Sequence, residues 1–195
     1  MRYFVFLRIL EKEISDLLDI AIYTLNPQEK WGAHITLAGP YQSKKNLPRE
    51  REFEQKVSII GASQFRNETQ NTVFLRVGSS NLRSAWDKPD YPFNPHLTIY
   101  DGFDHNLGDM LYTSLVQIRP FLFFHTSRLE VVRSPRGEPR LPMAPTIEFK
   151  KSYGLSASNF DEAWALSTED RVSLAVSAVK RAKDFNLFNR IDDIG

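Results

Sequence analysis

The chain has 195 residues, of which 42% are hydrophobic and 12% aromatic, so it is long enough to bury one core in a soluble globular domain. Its 25 lysines and arginines face 24 aspartates and glutamates, and this balance of +1 argues against a protein that grips a long phosphate backbone. The absence of cysteine excludes thiol catalysis, disulfides and thiolate metal sites, and is typical of a reducing compartment.

The first elements are a strand and a helix. Residues 2–10 are rich in aromatic and β-branched types and predict a strand. Arg8 interrupts this run and no small-residue cleavage site follows, so the segment does not read as a signal peptide and we expect a cytoplasmic protein. No apolar run is long enough to span a bilayer. Residues 11–25 predict a helix because apolar residues recur at helical spacing, namely Ile14, Leu17, Leu18 and Ala21.

The next segments continue the alternation. Residues 31–38 predict a second strand, which the following glycine and proline are expected to end. Residues 48–60 begin with a proline suited to the first turn of a helix, and a helix is predicted there. Residues 71–77 predict a third strand.

The second half repeats this order. Residues 80–94 are typical of a loop, apart from the short stretch NLRSAW. Residues 95–101 predict a strand, residues 107–119 a helix that starts after Asn106, and residues 127–133 a further strand.

The remaining residues fit neither half. Residues 134–145 hold four prolines and a glycine and predict a loop between a body, residues 1–150, and a C-terminal extension, residues 151–195. The extension contains an amphipathic helix with Ser167 or Thr168 as N-cap. We expect it to pack on the body, since an exposed apolar stripe is a liability; a lid over a cleft and a partner-binding helix are the alternatives. Its stripe consists of Val172, Ala175, Val176 and Val179.

Two predicted strands carry the same motif. HITL starts at His34 and HLTI starts at His96, 62 residues later. Alternate side chains of a strand share a face, so each histidine points the same way as the threonine two positions on, Thr36 or Thr98. A glycine and an aromatic residue follow each motif, which indicates a duplicated half. A two-lobed sheet with these strands facing each other would bring both motifs into one cleft.

The motif pair suits phosphoryl transfer without a metal. One neutral imidazole can take a proton while the other, protonated, gives one to the leaving oxygen. The threonine hydroxyls of Thr36 and Thr98 would donate hydrogen bonds to non-bridging phosphate oxygens. Tyr41 and Phe103, just past each strand, could stack on a base. A single His-x-Thr is more often structural, but a matched pair favours catalysis.

Other basic or metal-binding residues carry a weaker signal. His105 and His125 have neither helical i, i+4 pairing nor nearby carboxylates at ligand spacing, so no metal site is predicted. Arg8 and Arg76 each interrupt an apolar strand and could reach a phosphate, although an arginine at a strand end is usually solvated.

The paired HITL and HLTI motifs resemble the signatures of the two-histidine (2H) phosphoesterase superfamily, over roughly residues 1–150. The resemblance implies an α+β fold that is bilobal, with pseudo-two-fold duplicated strand–helix halves and antiparallel sheets around a central cleft. It also implies hydrolysis, without metal or cofactor, of a 2′,3′-cyclic phosphate, a 2′-5′ linkage or a cyclic oligonucleotide signal. His34 and His96 would then be the acid–base pair, and Thr36 and Thr98 the phosphate ligands.

The resemblance tilts the assignment toward His96 as base and His34 as acid. The substrate is expected to be a small nucleotide or short oligonucleotide, with no membrane partner, and the protein is expected to be a monomer. Two alternatives stay open: a 2′-5′ RNA ligase that uses the same four residues, and a nucleotide- or RNA-binding module without turnover. Two titrating imidazoles favour the enzyme, because a binding module has no need of them.

Overall fold

A computed structural model of the protein describes residues 2–26, 31–43, 47–88, 91–125, 127–134 and 166–188. They contain eight strands, three α-helices and one short 3₁₀ helix, Ser80–Ala85. The strands are β1 (Arg2–Ile9), β2 (His34–Tyr41), β3 (Arg51–Phe53), β4 (Val57–Arg66), β5 (Asn71–Val77), β6 (His96–Gly102), β7 (Leu122–Phe124) and β8 (Ser127–Ser134). The α-helices are α1 (Lys12–Leu25), α2 (His105–Ile118) and α3 (Thr168–Phe188).

The eight strands form one antiparallel sheet in the order β3-β8-β1-β2-β6-β5-β4-β7, which confirms the predicted α+β class. The two central strands, β2 and β6, share a single registered pair, Ile35 with Leu97. The ladders on either side of them are longer. The middle of the sheet is therefore a narrow seam between two more extensively paired sets of strands.

The helices pack on one face of this sheet. Side chains that point to that face, such as Leu7, Ile35 and Leu97, are fully buried and belong to one hydrophobic cluster with residues of all three α-helices. Burial at about 25 cal/mol per Å² of apolar surface is what holds these layers together. The opposite face of β1, β2, β5 and β6 carries the remaining alternate side chains, including those of both His-x-Thr motifs.

The predicted helix over residues 48–60 is wrong, because this segment forms β3 and the start of β4. Val57 and Ile59 are both fully buried, and they pair with Phe124 and Leu122 of β7. Their spacing of two residues is the strand period, and pairing on both sides of β4 overrides the helical tendency of the charged residues before it. The residues that the structure describes between β2 and β5 therefore contain no α-helix of the kind that follows the second motif.

Two predicted boundaries also move. The glycine and proline after residue 38 do not end β2, which continues to Tyr41 through an irregularity in the ladder with β1. Gly39 has φ +100°, and a Cβ there would lie 2.6 Å from the carbonyl oxygen of Tyr3, so the close approach of the two strands requires glycine. Helix α2 begins at His105 because the Asp104 carboxylate accepts a hydrogen bond from Leu107 N–H at 3.0 Å.

The predicted C-terminal helix is present as α3. Ser167 is its N-cap, since the hydroxyl accepts from Asp170 N–H at 3.1 Å. The Arg171 guanidinium donates to the carbonyls of Thr24 and Leu25 at the end of α1. The helix thus packs on the helical layer, away from the motifs. The predicted loop over 134–145 and the boundary at 150/151 fall, apart from the last residue of β8, outside the described residues. None of the described helices is both long and apolar enough to cross a membrane.

Candidate functional site

The structure brings both His-x-Thr motifs together at the seam. Ile35 pairs with Leu97 in antiparallel register, and extending that register by one residue sets His34 opposite Thr98 and Thr36 opposite His96. Ile35 and Leu97 point into the core and are fully buried, whereas the four motif side chains are half-buried on the open face. Two imidazoles and two hydroxyls therefore surround one point between the strands.

The two imidazoles are held in the same way. Nδ1 of His34 lies 2.7 Å from the carbonyl oxygen of Gly32, and Nδ1 of His96 lies 2.7 Å from that of Asn94. A carbonyl oxygen only accepts, so the hydrogen bond assigns the proton to Nδ1 in each ring. This leaves Nε2 of each neutral ring free to take a proton, or to give one when the ring is charged.

Aromatic rings from the neighbouring strands fix the two imidazoles further. Phe6 of β1 stacks on His34 with ring centroids 3.9 Å apart. The rings of Phe74 of β5 and His96 are tilted, with centroids 4.7 Å apart. In each case the phenylalanine pairs in register with the threonine of the same motif. Both phenylalanines are almost completely buried, so the imidazoles rest on rigid apolar surfaces.

Burial keeps both imidazoles neutral in the free protein. It lowers the pKa of His34 to about 4, and the charges of Arg8, His96 and Lys88 act in the same direction. Burial also lowers the pKa of His96, with a further contribution from the ammonium of Lys88. A phosphate anion between the rings would favour their charged forms, because opposite charges at short range attract strongly in a partly desolvated cleft.

The turn before β2 is anchored by a half-buried carboxylate that no motif of the sequence indicates. Asp19 of α1 accepts a hydrogen bond from Ala33 N–H, and burial raises the pKa of this carboxyl to about 6. Gly32 has φ +59°, and a Cβ at this position would collide with the Asp19 carboxylate. Asp19 therefore holds the turn whose carbonyl positions His34.

Both arginines noted in the sequence lie beside the motifs. Arg8 pairs in register with His34, and Arg76 pairs in register with His96. The Arg8 Nε donates to the Glu130 carboxylate at 2.7 Å, so its charge is largely compensated. Arg76 is exposed and forms no ion pair with any residue that the structure describes.

A cavity of about 380 Å³ opens beside His96. Its walls are largely apolar and aromatic, and Phe65 meets the His96 ring edge-on with centroids 5.9 Å apart. Sequence reasoning missed this cavity because most of its lining lies in residues 80–94, which were interpreted as a loop. The only available signal was the concentration of aromatic residues in that loop. The lining residues are Phe65, Trp86, Lys88, Tyr91, Pro92, Asn94 and His96.

The two predicted stacking residues do not lie next to the imidazoles. Tyr41 is five residues beyond Thr36, about 16 Å along the strand, and its hydroxyl donates to the Asp87 carboxylate. Phe103 follows the end of β6 and is 82% exposed. Because β2 and β6 are antiparallel, these two residues lie at opposite ends of the seam along the strand direction.

The other two histidines are separate from the site. His105 is half-buried at the start of α2, where Nε2 lies 3.2 Å from the carbonyl oxygen of Glu68. His125 is exposed and meets Phe123 edge-on. The described part of the chain contains no group of three or more His, Cys, Asp or Glu side chains arranged to hold a metal ion.

Comparison with known proteins adds no assignment. A scan against models of protein families found no match to this chain, and a search of curated proteins found none either. The functional interpretation of the site therefore depends on its geometry and on the motif resemblance.

Proposed function

We propose that the protein is a metal-independent phosphodiesterase of the two-histidine type, acting on a nucleotide or short oligonucleotide. The observation that carries the proposal is the pair of His-x-Thr motifs facing each other across the Ile35–Leu97 pair, on the face of the sheet away from the helices. Both imidazoles leave Nε2 free, and each is packed against the ring of an almost completely buried phenylalanine of the neighbouring strand.

The proposed reaction needs only these four side chains and water. One neutral Nε2 removes a proton from the attacking water as its oxygen bonds to phosphorus. The bond from phosphorus to the leaving ribose oxygen breaks, and the protonated Nε2 of the other histidine gives that oxygen its proton. The hydroxyls of Thr36 and Thr98 donate hydrogen bonds to the non-bridging oxygens, where negative charge grows in the transition state.

The cavity beside His96 supports a nucleotide as the substrate. A nucleobase is a planar aromatic group, and stacking on an aromatic side chain contributes about 1–3 kcal/mol per base. Trp86 and Tyr91 offer such surfaces within reach of the phosphate site. The nucleoside of a cyclic phosphate would thus occupy the His96 side of the cleft.

The contacts around the two motifs support a bilobal, duplicated arrangement as part of the proposal. Each histidine registers with an arginine and each threonine with a phenylalanine of the neighbouring strand. Strand β1 reaches β2 through α1, while β5 reaches β6 through only the 3₁₀ helix. The two halves would meet at the β2–β6 seam and have diverged in their connections.

Screening for hydrolysis in the presence of a chelator tests the proposal. The substrates are 2′,3′-cyclic nucleotides, 2′-5′-linked oligoadenylates and cyclic di- and trinucleotides. We expect turnover of at least one class, and a loss of about 10²–10⁴-fold in His34→Ala and His96→Ala. His105→Ala and His125→Ala are matched controls that should keep the wild-type rate.

Three results would contradict the proposal. The first is loss of turnover on chelation that added divalent metal restores. The second is saturable nucleotide binding without turnover of any substrate, which would identify a binding module. The third is formation of a 2′-5′ bond between two RNA ends without net hydrolysis, which would identify a ligase.

A further inference from the structure

Lys88 is a cation inside the cleft that the motif pair does not include. It lines the cavity together with His96, and its side chain is half-buried. The ammonium lies 5.3 Å from the centre of the Trp86 ring. It forms no ion pair with a carboxylate among the described residues.

The backbone next to Lys88 is hydrogen-bonded to β2, the strand that carries the first motif. Asp87 N–H donates to the Leu37 carbonyl at 3.0 Å, and Asp87 bridges Ala38 of β2. The Asp87 carboxylate also accepts from the Tyr41 hydroxyl. These contacts hold the segment from residue 86 to 88 against β2. They therefore fix where the Lys88 backbone lies relative to the first motif.

The charge of Lys88 reaches both halves of the site. It contributes to the lowered pKa of His34 and to that of His96, whereas Arg8 contributes only to that of His34. Burial lowers the pKa of Lys88 itself, because its charged form is partly desolvated. An uncompensated cation near two neutral imidazoles leaves the cleft with an excess of positive charge.

We propose that Lys88 binds the phosphate anion held between the two motifs and is a further substrate-binding residue. The inference rests on the proposed function for the identity of the anion as a substrate phosphate, with free inorganic phosphate as the simpler ligand of the same chemistry. Thr36 and Thr98 supply neutral hydrogen bonds, and Lys88 supplies a positive charge that is already present in the free protein, where both imidazoles are neutral. Of the other nearby charges, that of Arg8 is compensated by Glu130, and Arg76 lies at the exposed edge.

The experiment follows the imidazole resonances of His34 and His96 by NMR, with His34→Gln and His96→Gln to assign them. In the absence of ligand, Lys88→Met should raise the pKa of both imidazoles, since a nearby positive charge is removed, and Lys88→Arg should leave both unchanged. On titration with inorganic phosphate, we expect the Kd of Lys88→Met for phosphate to be at least about ten times that of wild type.

A matched control is Lys56→Met, which removes an exposed lysine that lies over Phe123, away from the site. It should leave the imidazole pKa values and the phosphate affinity at wild-type levels. With any substrate that is turned over, Lys88→Met should raise KM more than it lowers kcat.

The outcomes separate the two proposals. If no phosphodiester is hydrolysed but phosphate binding still depends on Lys88, the proposed function fails and the anion site stands. If Lys88→Met and Lys88→Gln bind phosphate as wild type does, with unchanged imidazole pKa values, the assignment of Lys88 is overturned whatever the enzyme does. Weakened phosphate binding in Lys56→Met as well would also overturn it, because the effect would then be one of overall charge.

Discussion

At the scale of single residues, the two imidazoles have equivalent hydrogen bonds but different neighbours. Both present Nε2 to the cleft, so geometry alone leaves either one able to act as base. His34 lies next to Arg8, while His96 borders the cavity proposed for the nucleoside. Their roles must therefore be separated by chemistry.

A substrate with an activated leaving group separates the two roles. If His34 is the acid, His34→Ala should be slow on a natural phosphodiester and should recover much of its rate on a nitrophenyl ester, which needs no protonation to depart. His96→Ala should stay slow on both. Equal recovery of the two variants would reject this assignment, and recovery of His96→Ala alone would reverse it.

The threonines should have smaller effects. Thr36→Val and Thr98→Val each remove one hydrogen bond to the phosphate and should lower kcat/KM by about 10–10³-fold. Thr36→Ser and Thr98→Ser keep the hydroxyl and should retain most of the rate. If the valine variants were as active as the serine variants, the hydroxyls would not contact the phosphate.

Buried titratable groups beside the site should give opposite pH dependences of stability. The pKa of His34 is lowered to about 4, so between about pH 4 and 6.5 the unfolded chain binds more protons and stability rises with pH. The pKa of Asp19 is raised to about 6, so between about pH 4 and 6 the folded protein binds more protons and stability falls with rising pH. Each effect is of the order of 3 kcal/mol, and the two partly cancel.

Single variants should reveal how each group changes the free energy of unfolding with pH. The free energy of unfolding, measured with denaturant at pH 4.5, 5.5 and 6.5, should fall with pH in His34→Gln and rise with pH in Asp19→Asn. Asp19→Asn keeps an acceptor for Ala33 N–H and should be more stable than wild type at pH 7. Parallel pH curves for wild type and both variants would show that neither group titrates as described.

At the scale of elements, segments with one clear period were predictable and segments shaped by pairing were not. Helix α1 and strand β5 match the apolar periods of their sequences, and both predictions are confirmed. Residues 57–60 form a strand because β5 and β7 lie on either side, which no local pattern records. The short β7 was missed for the same reason, since three buried residues carry no period.

A buried amide anchors α3 to β7, in addition to the Arg171 hydrogen bonds and the apolar contacts of the helix. Asn186 donates to the Phe123 carbonyl at 2.6 Å and accepts from Phe123 N–H at 3.0 Å, so it satisfies both polar groups of that residue. Asn186→Ala would remove both of these buried hydrogen bonds and should cost about 2–4 kcal/mol of unfolding free energy. The site lies on the other face of the sheet, so turnover should be unchanged at low temperature.

Ser177→Ala is the control, because Ser177 is exposed on the same helix. Chemical denaturation of the three proteins gives the comparison. A loss of stability below about 0.5 kcal/mol in Asn186→Ala, the range of ordinary surface substitutions, would mean that α3 is not anchored through β7.

At the scale of the whole molecule, the repeated motif predicted which residues meet but not what surrounds them. His34, Thr36, His96 and Thr98 could be selected because two similar strands of one sheet tend to lie together. Lys88 and the cavity could not be selected from the sequence, because their positions depend on how Asp87 connects a loop to β2. Asp19 was equally hidden, as an acidic residue in a helix is usually solvated.

Charge balance over the whole chain predicts the length of substrate that the protein prefers. The net charge is only +1, and two cations without an ion pair to any described residue lie in or beside the cleft, Lys88 in the cavity and Arg76 in register with His96. Two phosphate contacts on a single strand give a slope of log(kcat/KM) against log[salt] between about −1 and −2. A dinucleotide and a 20-nucleotide strand that carry the same scissile bond should therefore have similar KM values and similar slopes. The measurement is kcat/KM for both substrates from 50 to 400 mM salt, and a slope steeper than about −4 for the long strand alone would require an extended basic surface instead.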